Sequence, residues 1–349
     1  MHFSSLPADV LARFRDGQVI PAQPLALDAQ RRFDPRRQRA LSRYYIDAGA
    51  GGLAVAVHTT QFAIRDVGLY RPVLEAAAET ASRWTDRPLM MIAGVVGRTQ
   101  QALSEARTAR ALGYHAVLLS LAALKGCSED ELIEHCQSIA AEMPLIGFYL
   151  QPAVGGMPLA ASFWRRFAEI ENVIGIKVAP FNRYATLDVM AGVAAAKAAD
   201  RVTLYTGNDD HIVLDLVTPF RTGQGELHFA GGLLGHWSVW TQKAVGILAR
   251  CKEARKEDAV PREILALDSA VTDCNAAFFD VANSFHGVIA GCHEVLRRQG
   301  LLEGRWCLDP NEDLSPGQLD AIDRVYRLYP ELNDDAFVRA NLGKWLEAD

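Results

Sequence analysis

Eight short apolar runs recur at a nearly even step between residues 19 and 230, and this recurrence restricts the fold more than any other feature of the chain. They occupy residues 19–22, 53–57, 88–96, 116–121, 145–149, 173–178, 202–205 and 226–230. Their starts lie about 30 residues apart, the length of one strand plus one crossover helix. Strands that are apolar along their whole length, separated by helices, form a parallel sheet covered on both faces. Eight such units fit a closed (β/α)8 (TIM) barrel, an α/β fold, better than an open doubly wound sheet. The latter has fewer strands and a glycine-rich phosphate turn, and no G-x-G-x-x-G follows the first run.

The intervening stretches are punctuated as helices. Asp34 precedes Pro35 as an N-cap precedes a first-turn proline, and Thr99 is expected to cap a helix over 100–112 that stops at Gly113. Ser128 and Glu131 have the spacing of a capping box, and so do Ser315 and Gln318. From Trp237 onward apolar residues recur at helical spacing with no further strand-like run. We therefore read a barrel over 1–235 and a C-terminal helical region over 236–349. No Pro/Gly/Ser-rich linker separates them, so the helices should pack on the barrel or on a partner subunit.

Composition narrows the partners. Lys and Arg total 36 against 42 Asp and Glu, a formal charge of −6, which leaves no basic excess for nucleic acid. No apolar run approaches the ~18 residues of a membrane span. Asp9, Arg13, Arg15 and Asp16 stand where a signal peptide needs an apolar core, so a cytoplasmic protein is expected. The six cysteines are scattered with no C-x-x-C pair and read as reduced packing residues.

In such a barrel the chemistry sits where strands end at the C-terminal face. Lys177 is the most informative residue, because it lies in the apolar run Val173-Ile174-Gly175-Ile176-Lys177-Val178. Burial favours a neutral amine, which attacks a ketone to form a Schiff base. The competing reading is a strand-end lysine that reaches solvent or a carboxylate. Tyr149 precedes Lys177 by one repeat length, which would place the two on adjacent strands with the phenol able to move protons. That reading requires both side chains on one face of the sheet. The bland alternative is a core tyrosine bonded to backbone.

Thr59 and Thr60 offer hydroxyls and N–H groups to a carboxylate, although threonine pairs at strand ends are ordinary. His58 and His228 are candidate hydrogen-bonding or acid–base groups, each also explicable as a core histidine. Gln151 and Asn208 complete the polar strand ends. Asp209-Asp210-His211 suggests a metal, but neighbours in sequence seldom converge on one ion, and no metal site is assigned.

At these residues the chain resembles the dihydrodipicolinate synthase / N-acetylneuraminate lyase family of Schiff-base (class I) aldolases and dehydratases, from about Val19 to Arg250. The similarity is carried by Asn172-Val173-Ile174-Gly175-Ile176-Lys177, by Phe148-Tyr149-Leu150-Gln151-Pro152, by His58-Thr59-Thr60-Gln61-Phe62, by Ile92-Ala93-Gly94-Val95 and by Tyr205-Thr206-Gly207-Asn208-Asp209. It implies Lys177 as the Schiff-base lysine for a 2-keto acid such as pyruvate, Tyr149 as proton shuttle, and Thr59 and Thr60 on the keto-acid carboxylate. It also implies a homo-oligomer, dimer or tetramer, that needs no metal or organic cofactor. The chain departs from the family where His58 and Gln61-Phe62 replace Gly and Gly-Glu. The family's tyrosine pair falls near Ala123-Leu124, and the arginine of its lysine-pathway members falls near Val154.

The expected function is therefore a lyase or aldolase, or a dehydratase, that holds a 2-keto acid through Lys177, with an aldehyde as second partner. His58, Gln151, Asn208 and His228 would read a substrate less anionic than the lysine-pathway aldehyde. A second reading keeps the keto-acid site and discards the chemistry, leaving a regulatory binding protein.

Overall fold

The computed structural model describes residues 1–347, and the expected barrel is present. Eight parallel strands run as β1 (Val19–Pro21), β2 (Gly52–Val55), β3 (Met90–Val95), β4 (Ala116–Leu119), β5 (Leu145–Leu150), β6 (Val173–Ala179), β7 (Thr203–Thr206) and β8 (Gly231–Leu234). Each of β2 to β7 pairs with the next in sequence, β8 pairs with both β7 and β1, and a parallel bridge between Ala22 and Ala54 brings β1 to β2.

The eighth strand is not where the apolar pattern put it. Residues 220–227 form a separate antiparallel hairpin, Phe220–Thr222 with Gly225–Leu227, whose turn is exposed. The barrel strand is the buried Gly231–Leu234 that follows, and its two leading glycines have no side chains to mark it as a strand.

The helices are α1 (Ala8–Asp16), α2 (Pro35–Asp47), α3 (Tyr70–Trp84), α4 (Thr99–Ala111), α5 (Glu129–Glu142), α6 (Ala161–Glu169), α7 (Arg183–Ala195), α8 (Ile212–Val217), α9 (Thr241–Ala254), α10 (Arg262–Phe278), α11 (Val288–Arg298), α12 (Gln318–Leu328) and α13 (Asp335–Trp345). The Asp34 cap accepts from the Arg37 N–H at 3.1 Å. Ser128 and Glu131 satisfy each other's backbone donors at 3.3 and 2.7 Å. Gly113 stops α4 in the left-handed region at φ 80°. Two caps differ from expectation in part: Thr99 is the first residue of α4 and its hydroxyl meets the His135 ring, while Ser315 keeps half of its box, its N–H donating to Gln318 Oε1 at 3.1 Å, but its hydroxyl donates to Asp280 and the helix starts after Gly317.

α1, which precedes β1, closes the N-terminal end of the barrel. Phe14 stacks on Tyr205 at 4.8 Å, and the Tyr205 hydroxyl donates to the Phe14 carbonyl at 2.7 Å. At the other end the C-terminal region reaches over the mouth, where Phe279 and Val288 approach the strand ends. α9 packs on α8 and β1, so the last βα unit of the barrel extends to Ala254. No helix among the described residues is long and apolar enough to cross a membrane.

Candidate active site at the barrel mouth

Lys177 extends into a narrow pocket at the C-terminal end of the strands. Only 6% of it is exposed, and its ammonium position lies 4.3 Å from the centre of the Phe148 ring. Gly207, just after β7, makes room for it: a Cβ there would stand 2.7 Å from Lys177 Cε and 2.8 Å from Ala179 Cβ. Burial pushes the Lys177 amine below the ordinary lysine range, against a smaller opposing pull from the Asp209 charge.

Asp209 lines the same pocket, 5% exposed. Its Oδ1 accepts the His236 N–H at 2.9 Å. Burial raises its carboxyl above the ordinary range, and the Lys177 charge is the main force in the other direction. His58 lines the pocket too, on the 3-10 turn His58–Thr60 after β2. Burial first, and the Lys177 charge second, hold its ring down to about 4, so it is a neutral base at physiological pH. Amine, carboxyl and imidazole thus share one enclosed space in which each feels the charge of the amine.

The expected partnership of Lys177 with Tyr149 is absent. The β5–β6 ladder shifts register between Leu145 and Ile146, so that Lys177 pairs with Phe148, while Tyr149 pairs with Val178 and points to the other face of the sheet. There the Tyr149 hydroxyl accepts from the Leu159 N–H at 3.1 Å and donates to the Leu159 carbonyl, and its ring packs on Trp164. Tyr149 is the core tyrosine of the bland reading: β5 alternates without interruption, so Tyr149 shares the outer face with Leu145, while the extra residue of the bulge lies in β6 and brings Lys177 to the inner face beside Phe148.

Of the remaining candidates, Thr59 and Gln151 line the pocket. The Thr59 hydroxyl donates its proton to the Ala22 carbonyl at 2.7 Å, leaving lone pairs toward the cavity. Thr60 lies beneath, donating to Gln23 O at 2.6 Å and accepting from Val57 N–H at 3.2 Å, so its hydroxyl shapes the turn. Asn208 is fully buried and does not line the pocket: its amide binds Thr186 and Asp215, and its carbonyl accepts the Phe181 N–H. It fixes the loop that carries Asp209. His228 precedes β8 and is exposed, which places it at the N-terminal end of the barrel, away from the mouth. Asp210 and His211 diverge from Asp209, His211 lying 3.6 Å from Asp268.

Sequence reasoning did not find Asp209 as a pocket residue, although it follows the Gly207-Asn208 strand end that was read. Phe181, Phe279 and Val288 were also missed, since nothing local announces that they meet over the mouth.

Fold and site together define a parallel barrel with a buried lysine on its sixth strand, facing the C-terminal mouth. Residues 16–221 match the Dihydrodipicolinate synthetase family, and the chain belongs to that family. A 4-hydroxy-tetrahydrodipicolinate synthase of Moorella thermoacetica is 28% identical over 208 residues, 58% of this chain and 66% of that protein. This chain therefore matches just under two thirds of that relative's length. Among solved structures, dihydrodipicolinate synthase from Oceanobacillus iheyensis superposes with a TM-score of 0.74 at 16% identity, over 93% of this chain and 99% of that one. N-acetylneuraminate lyase from Fusobacterium nucleatum gives 0.72 at 18% identity, over 90% and 98%. Both likenesses concern the fold.

Proposed function

We propose that the protein is a Schiff-base lyase or aldolase acting on a pyruvate-type 2-oxo acid through Lys177. The observation that supports this most is the placement of Lys177: an amine nearly sealed from solvent, depressed by burial, aimed into a pocket that also holds an acid and a base. A neutral amine adds to the C2 carbonyl, and loss of water gives an iminium that withdraws electrons from C3. The turn His58–Thr60, whose first N–H groups lack intrahelical acceptors, is suited to the substrate carboxylate.

Proton transfer falls to Asp209 and His58, since Tyr149 faces away. Carbinolamine formation and dehydration need a group that gives and takes a proton near neutrality, and a carboxyl raised by burial meets that need. A binding-only homologue would need neither group beside the amine.

The test is reductive trapping. Borohydride added to protein and pyruvate should fix the adduct on Lys177, read by peptide mass spectrometry. A Lys177→Ala protein that still turns over a 2-oxo acid would refute the assignment.

A further inference from the structure

Apart from Lys177, His58, Asp209, Thr59 and Gln151 the pocket lining is apolar, and among the described residues it carries no second lysine or arginine; this apolar part is its distal half. Its lining is made by Leu150, Val154 and Phe181 together with Phe279 and Val288 from the C-terminal region. Phe279 is held close by the fold: a Cβ on Gly235 would stand 2.8 Å from its ring, and 3.4 Å from the Thr59 methyl. Phe181 in turn meets Phe285 edge to face at 5.8 Å. The roof is thus a set of aromatic rings from two parts of the chain.

The polar groups are already engaged in ways that limit what they offer a second reactant. Lys177 takes the 2-oxo carbon, and the Thr59 hydroxyl proton is committed to Ala22. Asp209 is a carboxyl facing the cavity, so a second carboxylate or a phosphate would add negative charge where no arginine lines the wall. Outside the groups assigned to the oxo acid and its proton transfers, a polyhydroxylated tail would find Gln151 as the remaining polar side chain of the lining among the described residues, leaving its hydroxyls desolvated.

We infer that the reaction partner carried in this distal half is an uncharged, apolar aldehyde, of the branched aliphatic or phenyl type. The inference rests on the Schiff-base reading above. In the condensing direction the Lys177 iminium of pyruvate loses a C3 proton to a pocket base. The resulting enamine carbon forms a bond to the aldehyde carbon, whose oxygen takes up a proton. Water then hydrolyses the iminium, freeing a 4-hydroxy-2-oxo acid and the Lys177 amine. Cleavage is the reverse. The C-terminal region thereby acquires a role, since Phe279 and Val288 belong to the wall that the apolar group meets.

The experiment separates this inference from the reading beneath it. Pyruvate trapping on Lys177 without any aldehyde tests the lysine alone. With trapping established, turnover is measured with pyruvate and isobutyraldehyde, benzaldehyde, glyceraldehyde or succinic semialdehyde, by product mass spectrometry. The expected result is kcat/KM for an apolar aldehyde at least about tenfold above that for the polyhydroxylated or anionic ones. In Phe279→Ser the preference for isobutyraldehyde over glyceraldehyde should fall by about tenfold, as an apolar contact is exchanged for a hydroxyl. Preference for glyceraldehyde or succinic semialdehyde, or pyruvate trapping with no turnover of any aldehyde, would overturn the inference while leaving the lysine chemistry intact. Failure of pyruvate to trap at all would remove the foundation of both.

Discussion

Lys177 of β6 faces Phe148 of β5 across the ladder, its amine 4.3 Å from the ring centre, and the tyrosine next to that phenylalanine looks out toward α6. An aromatic face beside an ammonium favours the charged form modestly, whereas burial favours the neutral one, and the net displacement of Lys177 is downward. The phenyl ring therefore packs the amine without supplying a proton, and in the proposed chemistry proton transfer would fall to His58 after β2 and Asp209 after β7.

The first consequence concerns Tyr149→Phe. The hydroxyl it removes bridges the N–H and carbonyl of Leu159, so the cost belongs to stability, on the order of 1 kcal/mol. Pyruvate trapping on Lys177 should remain close to wild type, where loss of a proton carrier would cost roughly a hundredfold or more. Melting temperature and trapping rate measured on the same protein decide between the two, and a hundredfold slower trapping would return the phenol to the mechanism.

Gly207→Ala should act on the lysine directly. The new methyl would overlap Ala179 Cβ, fixed on its strand, and Lys177 Cε, which the flexible lysine chain can move. Overpacking of this kind costs about 1–3 kcal/mol, and here part of the strain is relieved by turning the amine away from the mouth. The expected signature is a cooperatively folded protein whose trapping yield drops much further than its stability. Full trapping with an unchanged melt would show that the wall is softer than the structure indicates.

The pH dependence of imine formation should move when Asp209 becomes Asn. The Asp209 carboxylate, once ionised, stabilises the Lys177 ammonium and so raises its pKa against the lowering effect of burial. Removing that charge lowers the Lys177 pKa further, and the amine becomes reactive at lower pH. The midpoint of the acid limb of pyruvate trapping should thus shift downward in Asp209→Asn, while the His236 N–H still finds an oxygen acceptor. A midpoint that stays fixed or rises would mean that the two groups do not share a field.

How much of this was legible in the chain differs by residue for physical reasons. Lys177 was legible because a charged group inside an apolar run has few explanations. The barrel was legible because each strand announces itself by burial on both faces, except β8, whose glycines carry no side chains to pattern. The partnership with Tyr149 was misread because spacing counts residues and a sheet counts ladder positions. Leu145 pairs with Val173, but after the register shift Ile146 pairs with Gly175, and that extra residue on β6 sets Lys177 beside the inward Phe148 instead of the outward Tyr149. His228 was misplaced with the eighth strand, and Asp209 was passed over because its neighbours Asp210 and His211 suggested a metal. The roof of Phe279 and Val288 depends on contacts made by residues far along the chain, which no local pattern encodes.

Acid stability offers a test away from the mouth. His293 on α11 is fully buried, and burial holds its ring down to about 4, against 6.5 for the ordinary imidazole. At pH 7 the ring is neutral folded or unfolded, so its titration contributes nothing to the balance. As pH falls below 6.5 the unfolded chain takes up a proton that the native state refuses until about 4, and stability is lost through that window. Raised carboxyls such as Asp209 and Asp334 act in the opposite sense, because the native state binds their protons more readily, so the wild-type profile alone does not isolate the histidine. The difference between wild type and His293→Leu does. Urea denaturation at pH 7 and pH 4.5 should show the variant gaining on wild type by on the order of 2 kcal/mol at the lower pH. A pH-independent difference would mean that the buried ring accepts a proton in the native state as readily as in the unfolded chain.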